Sequence, residues 1–337
     1  MQCNFLLPGL FGAPNSYAIK GFAPALAKLL ARGASIAENI DSTEAWIAKR
    51  FGFGSARENQ AFAAIALLGE RHHYSGTGHW LRADPVHLSI NRDRVVLLDA
   101  SQLEITATEA NALCRSLQDH FVSDGLIFHA AHPERWYIKS ANPITLHTHP
   151  TNTVRGRNVA NYWFDGADRA LWQRRLSEMQ MLLHAHPINE AREEAGQLPI
   201  NGVWFWGAGA LPDRLEPLYS HIIAHDALLA GLASLTETRY TDIDDFHWSA
   251  VPIAASCQTL IALNQLDTVA AYSEWDVWRE ALAALDQIWF APALSALENG
   301  KMTAMTIHAP DKNHGAKITT TRYDLFKFWR HDFVMER

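Results

Sequence analysis

The sequence predicts an α/β protein. Short helices and strands alternate near both ends of the chain. Between them lies a block of strands and long helices that holds a Pro-, Asn-, Gly- and His-rich stretch over 141–168. That pattern suits a layered core interrupted by a second set of layers.

Each element follows from local signals. Residues 3–12 read as a buried strand, and the apolar MQCNFLLPGLFG, broken by Pro8 and Gly9 and without a basic region, as a core segment rather than a signal peptide. Pro24 to Arg32 is a short helix, with Pro at its start and Gly33 just past its end. Ser42-Thr43-Glu44 opens a helix over 43–51, and Ala61 to Leu68 is an apolar helix stopped by Gly69. Val86 to Ile90 and Val95 to Asp99 are strands joined by the polar turn 91–94. Thr106, with Glu109 three residues on, forms a capping box for a helix reaching about His120. Gly125 to His129 and Arg135 to Lys139 pair as a hairpin, and Trp172 to His184 is a long helix.

Pro187 interrupts that helix, since proline disfavours helix in the residue before it. Asn189 to Ala195 restarts it, and Gly196 and Pro199 stop it again. Gly202 to Trp206 is a buried strand entering a Gly-rich turn. Pro217 to Leu232 reads as helix, Thr238 to Trp248 as an acidic turn, and Thr259 to Leu263 as a short apolar run. Ser273 to Leu297 is helical with a break at Pro292, and Lys301 to Ala309 pairs with Lys317 to Tyr323 as a terminal hairpin.

Composition bounds the function. The 337 residues are 48% hydrophobic and 19% charged, which fits a soluble globular chain of two domains. A net charge of −7 argues against a nucleic-acid partner, which needs a basic footprint. No run of 18 apolar residues occurs, so no membrane span is expected. Cys3, Cys114 and Cys257 lie far apart, with neither zinc spacing nor a disulfide framework; a reducing, cytoplasmic setting is the expectation. A G-x-S-x-G elbow, a P-loop and a dinucleotide fingerprint are all absent from the sequence.

The most informative stretch is 178–212. It contains HP-x-N-x-x-R followed by G-x-x-P-x-N-x-x-W-x-W-G-x-G, placing His186, Asn189, Arg192, Asn201, Trp204, Trp206, Gly207 and Gly209 in register. This string resembles the segment that joins inserted domain to core in archaeal-type cofactor-independent phosphoglycerate mutases, of the alkaline phosphatase superfamily. The resemblance implies an alkaline-phosphatase-like three-layer core, here 1–80 plus 205–337, and an inserted α+β domain with its linker over 81–204. Over its whole length, including the closing FKFWR at 326–330, the chain also resembles a bacterial family of RpfE-type regulatory proteins.

Mutases of that kind move a phosphoryl group through a phosphoserine, with two divalent metals held by Asp and His at core strand ends. The family's first strand ends in Asp-Gly, whereas this one ends Leu7-Pro8-Gly9. The helix at 24–33 is kept. The nucleophile's place falls near Gln60, and an amide cannot carry a phosphoryl group. Asp226, Asp276, His308, Asp311 and His314 lack the family's ligand spacing, and Trp stands in AYSEWDVW (271–278) where ligands belong. Thr151 and Asn152 replace a His-Asp pair of the substrate site, with Arg155-Gly156-Arg157 following, and Trp80 to Leu88 matches an arginine-bearing strand.

Three readings follow. The first is a non-catalytic regulatory or binding protein, with no cofactor, whose partner is a protein or a small phosphate or carboxylate ligand. Its pocket would draw on His149, Asn152, Arg155 and Arg157, because Arg offers a bidentate fork to such anions. His186, Asn189, Arg192, Trp204 and Trp206 would line it, although a structural network and core packing suit the same residues. Trp204 and Trp206 should share one strand face. The second is a phosphotransferase using Mn or Zn on relocated ligands drawn from His221, His225, Asp226, Asp242, Asp244, Asp245 and His247. The third is an interaction protein with an exposed C-terminal aromatic face. A metal cluster among His72, His73, His79, His87 and Asp84 competes with solvated loop histidines.

Overall fold

The computed structural model describes residues 2–12, 19–38, 40–53, 61–70, 78–91, 94–248, 258–311 and 314–330. Gln60, His72, His73, Cys257 and parts of the turns at 91–94 and 311–315 lie outside them. In chain order the elements are β1 (Gln2–Leu6), α1 (Pro24–Arg32), β2 (Ala34–Ala37), α2 (Thr43–Phe51), α3 (Phe62–Gly69), β3 (His79–Asn91), β4 (Arg94–Leu98) and α4 (Ala107–Phe121). There follow β5 (Leu126–His132), β6 (Arg135–Ser140), α5 (Thr151–Val154), α6 (Arg169–His184), α7 (Pro187–Glu194), β7 (Gly202–Gly209), β8 (His221–Ile223), α8 (Ala227–Leu235) and β9 (Arg239–Thr241). The last are β10 (Gln258–Ala262), α9 (Gln265–Ala271), α10 (Trp275–Leu285), α11 (Ala291–Glu298), β11 (Ala304–Ala309) and β12 (Ala316–Thr321). No helix among the described residues is long and apolar enough to cross a membrane.

The chain divides into two compact units. One comprises Met1–Ile47, Glu216–Asp226 and Ala233–Arg337; the other comprises Ala48–Leu215 with Ala227–Leu232. Residues 48–80 and β7 group with the second unit, because β7 hydrogen-bonds to β3 along most of its length.

The first unit is built on a seven-stranded sheet ordered β2-β12-β11-β1-β10-β8-β9. The run β11-β1-β10-β8-β9 is parallel, while β12 and β2 complete one edge antiparallel. Cys3, Phe5 and Leu7 from β1 and its end pack with Ile261, Ile307, Leu26, Leu29, Trp278 and Phe290 in one apolar cluster. Two expectations change here. The stretch read as helix over 217–232 contains β8, and the acidic stretch at 238–248 begins with β9. Both strands are three residues long, too short to show a period of their own, and their neighbours in the sheet hold them.

α1 has Pro at its start but no side-chain cap of its own. Its first N–H groups are met by Asp286: Leu26 donates to Oδ1 at 2.6 Å and Ala25 to Oδ2 at 3.2 Å. Asp286 opens a π-helical turn, Asp286–Phe290, where α10 runs on into α11 just before Pro292.

The second unit carries a sheet ordered β4-β3-β6-β5, with β7 also paired to β3. β3 is long enough to pair with β6 through its first half and β4 through its second. Leu81, Ala83, Trp136, Ile138, Val203 and Phe205 face a core shared with Leu113, Leu117, Trp172 and Met179 of α4 and α6. The alternate residues Arg82, Asp84, Tyr137, Trp204 and Trp206 therefore project from the opposite face, as the two-residue period of a strand requires. At the end of β7, Gly207 and Gly209 have φ of +69° and +159°. A Cβ on Gly209 would lie 2.7 Å from Ala61 Cα, so glycine is what lets this strand end meet the start of α3.

Candidate functional site

Two groups of side chains stand out, one in each unit. In the second unit the polar face of the sheet carries a buried knot of charge. Arg82 and Asp84 are two residues apart on β3 and so point the same way. Arg82 Nη2 lies 2.6 Å from Asp84 Oδ1, and its Nε donates to the same oxygen at 2.8 Å. Asp84 Oδ2 accepts from Trp206 Nε1 at 2.6 Å and from Thr151 Oγ1 at 2.8 Å. The guanidinium carbon sits 4.9 Å from the ring centres of both Tyr137 and Trp206. Cation–π contact of this kind gains strength when desolvated.

The knot continues to the end of α3. Arg135 grips Glu70 with two hydrogen bonds, Nε to Oε1 at 2.5 Å and Nη2 to Oε2 at 3.0 Å, while Tyr137 donates to Oε1 at 3.0 Å. Burial pushes the Glu70 carboxyl up, but the hydrogen bonds and charge of Arg135, with Arg82 and Tyr137, outweigh it and hold the group below the ordinary carboxylate range. Burial lowers Arg82, but Asp84, together with Tyr137 and Glu70, outweighs it, so the guanidinium is held firmly charged. Burial raises the Tyr137 phenol, which stays neutral. Arg82 and Arg135 are matched by Asp84 and Glu70. The buried charges balance, which is the condition for keeping them in a low-dielectric interior.

The sequence-derived pocket residues fall around this knot and away from it. His149, Asn152, Arg155 and Arg157 lie in one segment beside Thr151. Arg155 is buried and pairs with Asp99 at 3.3 Å, an oxygen set further fixed by Ser101 at 2.5 Å. Arg157 is exposed and donates to the Tyr162 hydroxyl at 3.3 Å. The exposed His149 ring meets Tyr162 edge-on, and its carbonyl accepts from Trp204 Nε1 at 2.8 Å. Asn152 is half-buried and accepts from Thr153 Oγ1 at 3.4 Å. Trp204 and Trp206 share one face of β7, but both are buried and neither offers an open platform.

The other three residues stitch helices together. Asn189 donates to the carbonyls of Leu183 and Ile200 and accepts from Ile200 N–H. Arg192 bonds Glu109 at 2.8 Å and the carbonyls of Leu198 and Leu103, tying α7 to the capping box of α4. His186 caps α7 by accepting from Ile188 N–H, which leaves its Nε2 to donate to Ser116 Oγ at 3.0 Å. Burial lowers its pKa, in keeping with a neutral ring. A shallow cleft of about 430 Å³ opens beside it, walled by Met181, Leu182 and Pro187. Asn201 accepts from Leu88 N–H and donates to its carbonyl, closing β7 against β3.

In the first unit, three of the proposed relocated ligands converge at the carboxyl ends of the adjacent parallel strands β8 and β9. His225 Nδ1 lies 3.1 Å from Asp242 Oδ2 and 3.6 Å from Asp244 Oδ2. His225 and Asp244 are exposed and Asp242 is half-buried. Among the described residues this is the one group of His, Cys and acidic side chains close enough to share an ion. The His79, His87 and Asp84 set does not gather, because His87 bonds the Pro199 carbonyl and Asp84 belongs to the knot. His221 sits at the other end of β8, bonded to Thr241. Of the C-terminal aromatics, Phe326, Phe328 and Trp329 are exposed, while Trp278 and Trp289 are core.

Sequence reasoning missed Asp84, Glu70 and Tyr137 as partners of Arg82. The available signal was Arg-x-Asp inside an otherwise apolar strand.

No family model matches the chain. Among curated proteins it is 26% identical over 137 residues to the 2,3-bisphosphoglycerate-independent phosphoglycerate mutase of Methanosarcina mazei, covering 39% of this chain and 34% of that one. It is 27% identical over 200 residues to the enzyme of that name from Methanothrix thermoacetophila, covering 53% and 50%. The chain thus spans about a third to a half of the length of these relatives. A solved structure from Pyrococcus horikoshii aligns over 95% of this chain and 87% of its own, with a TM-score of 0.54 and 12% identity, which is a likeness of fold. The cofactor-independent phosphoglycerate mutase from Thermoplasma acidophilum aligns over 95% and 89%, with a TM-score of 0.49 and 15% identity. The chain is a distant relative of archaeal-type cofactor-independent phosphoglycerate mutases, with a mixed α/β, alkaline-phosphatase-like fold.

Proposed function

We propose that this chain is a non-catalytic, phosphoglycerate-mutase-like protein that acts in the cytoplasm by regulation or by binding a small anion. Its resemblance to RpfE-type regulatory proteins points the same way. The observation that carries the reading is the closure of Arg82 by Asp84. Arg82 stands on the strand that resembles the family's arginine-bearing strand, and a carboxylate of the chain itself takes the place an anionic ligand would need. Thr151, where the family's substrate site has a histidine, donates to that same carboxylate. The loss of the nucleophile at Gln60, and Leu7-Pro8-Gly9 at the end of the first strand, add to it.

Anion binding then falls to the surface segment around Arg157, with His149 and Asn152 beside it. The test is a coupled assay for interconversion of the two phosphoglycerate isomers with Mn²⁺ present, run beside thermal-shift titration with phosphate and phosphoglycerate. No turnover is expected, with an anion-induced shift that Arg157→Ala removes. Turnover above the buffer rate would overturn the reading.

A metal-dependent phosphotransferase is the second reading, favoured by the meeting of His225, Asp242 and Asp244 at strand ends, where α/β sheets commonly place their ligands. If that reading holds, turnover appears with Mn²⁺ or Zn²⁺ and disappears in the Asp244→Ala, Asp245→Ala double variant.

A further inference from the structure

We infer that the chain pairs with a second copy of itself along β2, the outer strand of the first unit's seven-stranded sheet. Pairing of this kind requires neither turnover nor the anion site proposed above.

β2 stands at the end of the sheet and, among the described residues, pairs with β12 alone. All four of its residues, Ala34, Ser35, Ile36 and Ala37, are exposed. The N–H of Glu38 donates to the Gly315 carbonyl, which continues the ladder to β12. Residues along an antiparallel ladder alternate between those whose backbone groups bond the neighbour and those whose groups turn away. Ala34, Ile36 and Glu38 therefore bond towards β12, while the N–H and C=O of Ser35 and Ala37 lie on the outer edge. Monomeric proteins commonly blunt such an edge with Lys, Pro or a bulge. Ala-Ser-Ile-Ala has no such residue, and its register against β12 is unbroken.

A second copy fits this edge because its free groups complement themselves. Antiparallel pairing about a two-fold axis through Ile36 sets Ser35 against the partner's Ala37, and Ala37 against the partner's Ser35. Each such pair exchanges both N–H···O bonds, so every outward backbone group of both strands is satisfied. The two exposed Ile36 side chains then meet on the axis as a non-hydrogen-bonded pair, the closer kind.

The surface next to β2 supplies contact area. The turn Tyr323–Phe326 is anchored there, since Arg32 donates to the Leu325 carbonyl and Arg330 to that of Gly33 at 3.3 Å. It and the residues after it expose Tyr323, Phe326, Phe328 and Trp329 by 83%, 68%, 68% and 64%, and Ile36 is 64% exposed. A buried aromatic side chain covers about 150–250 Å², so these groups offer roughly 500–700 Å² per copy, near the ~800 Å² that each partner gives a stable interface. Charge agrees with the register. Ala34 lies opposite the partner's Glu38, so Arg330, exposed and held at Gly33, comes towards a carboxylate rather than another guanidinium.

The experiment is sedimentation velocity of the full chain across a range of micromolar concentrations, with amide hydrogen exchange read at both ends of that range. A species of twice the 37.7 kDa chain mass is expected to grow with concentration. The amides of Ser35 and Ala37 should slow as it forms. Ile36→Lys sets like charges against each other on the axis and should raise the dissociation constant about tenfold or more. Trp329→Ala should weaken the dimer in the same direction. Both side chains are exposed, so the variants should fold, and circular dichroism melts check it. A chain that stays monomeric at every concentration overturns the proposal and leaves the edge to a different partner. A dimer that Ile36→Lys leaves unchanged also overturns it, because the copies would then meet elsewhere.

Discussion

The buried knot of the second unit and the exposed trio of the first hold similar chemical groups in opposite conditions. Around Arg82 every charge faces an opposite charge, and the carboxylate of Asp84 accepts from Arg82, Trp206 and Thr151. At the ends of β8 and β9, two carboxylates, one exposed and one half-buried, face one imidazole at the surface. The difference separates charge that builds a fold from charge that is available to a ligand. Buried ions must be satisfied by the protein before anything arrives, whereas exposed ones are satisfied by water, which a ligand can displace.

That contrast can be broken most strongly at Asp84. Asp84→Ala strands a buried guanidinium and should destabilise the second unit by about 3–5 kcal/mol, measured by urea unfolding. A cost under about 1 kcal/mol would mean the knot behaves like a surface pair. Trp206→Phe keeps the ring above Arg82 but removes the N–H donated to Asp84. A loss of about 1–3 kcal/mol is expected, as for a hydrogen bond to a charged group.

Acid sharpens the comparison without mutation. The folded-state pKa of Glu70 lies below its unfolded value, so its contribution is present above the ordinary carboxylate range and is lost as pH falls through the folded value. Asp286 in the first unit runs the other way. Burial raises it, and the N–H groups of Leu26 and Ala25 only partly offset that. Its contribution is present below the unfolded pKa and is lost as pH rises through the folded one. Glu70→Gln should therefore flatten the acid limb of a melting-temperature profile, and an unchanged limb would remove Glu70 as its source. The smallest effect belongs to the exposed trio. Asp244→Asn in metal-free buffer should shift stability by no more than about 0.5 kcal/mol, measured by the same melts.

Much of the framework was legible in the residues. Pro24 and Gly33 bracket α1, Thr106 and Glu109 form the capping box foreseen for α4, and Trp204 and Trp206 share a face because a strand alternates. What escaped lacked a local signature. His221–Ile223 is an apolar triplet that fits helix or strand equally well, and only its parallel neighbours decide. The groups that enclose Arg82 and Asp84 come from Glu70, Tyr137, Thr151 and Trp206, and the pairing of β3 with β6 and β7 brings Tyr137 and Trp206 to them. Of the nine pocket residues, Asn189 and Arg192 were conspicuous because backbone carbonyls needed them, a structural demand that leaves as strong a mark on sequence as binding does.

The position of β1 carries a consequence for how the chain is made. It is synthesised before the other elements described, yet its two neighbours, β10 and β11, begin at residues 258 and 304, and the carboxylate that caps α1 waits until residue 286. Nearly all of the second unit emerges in between. The first unit is therefore expected to close last, with its opening strand held unpaired while the rest of the chain is translated. Pulse-labelled hydrogen exchange during refolding should show amides of β3 and β6 protected before those of β1; the reverse order would mean the early strand finds its place without waiting.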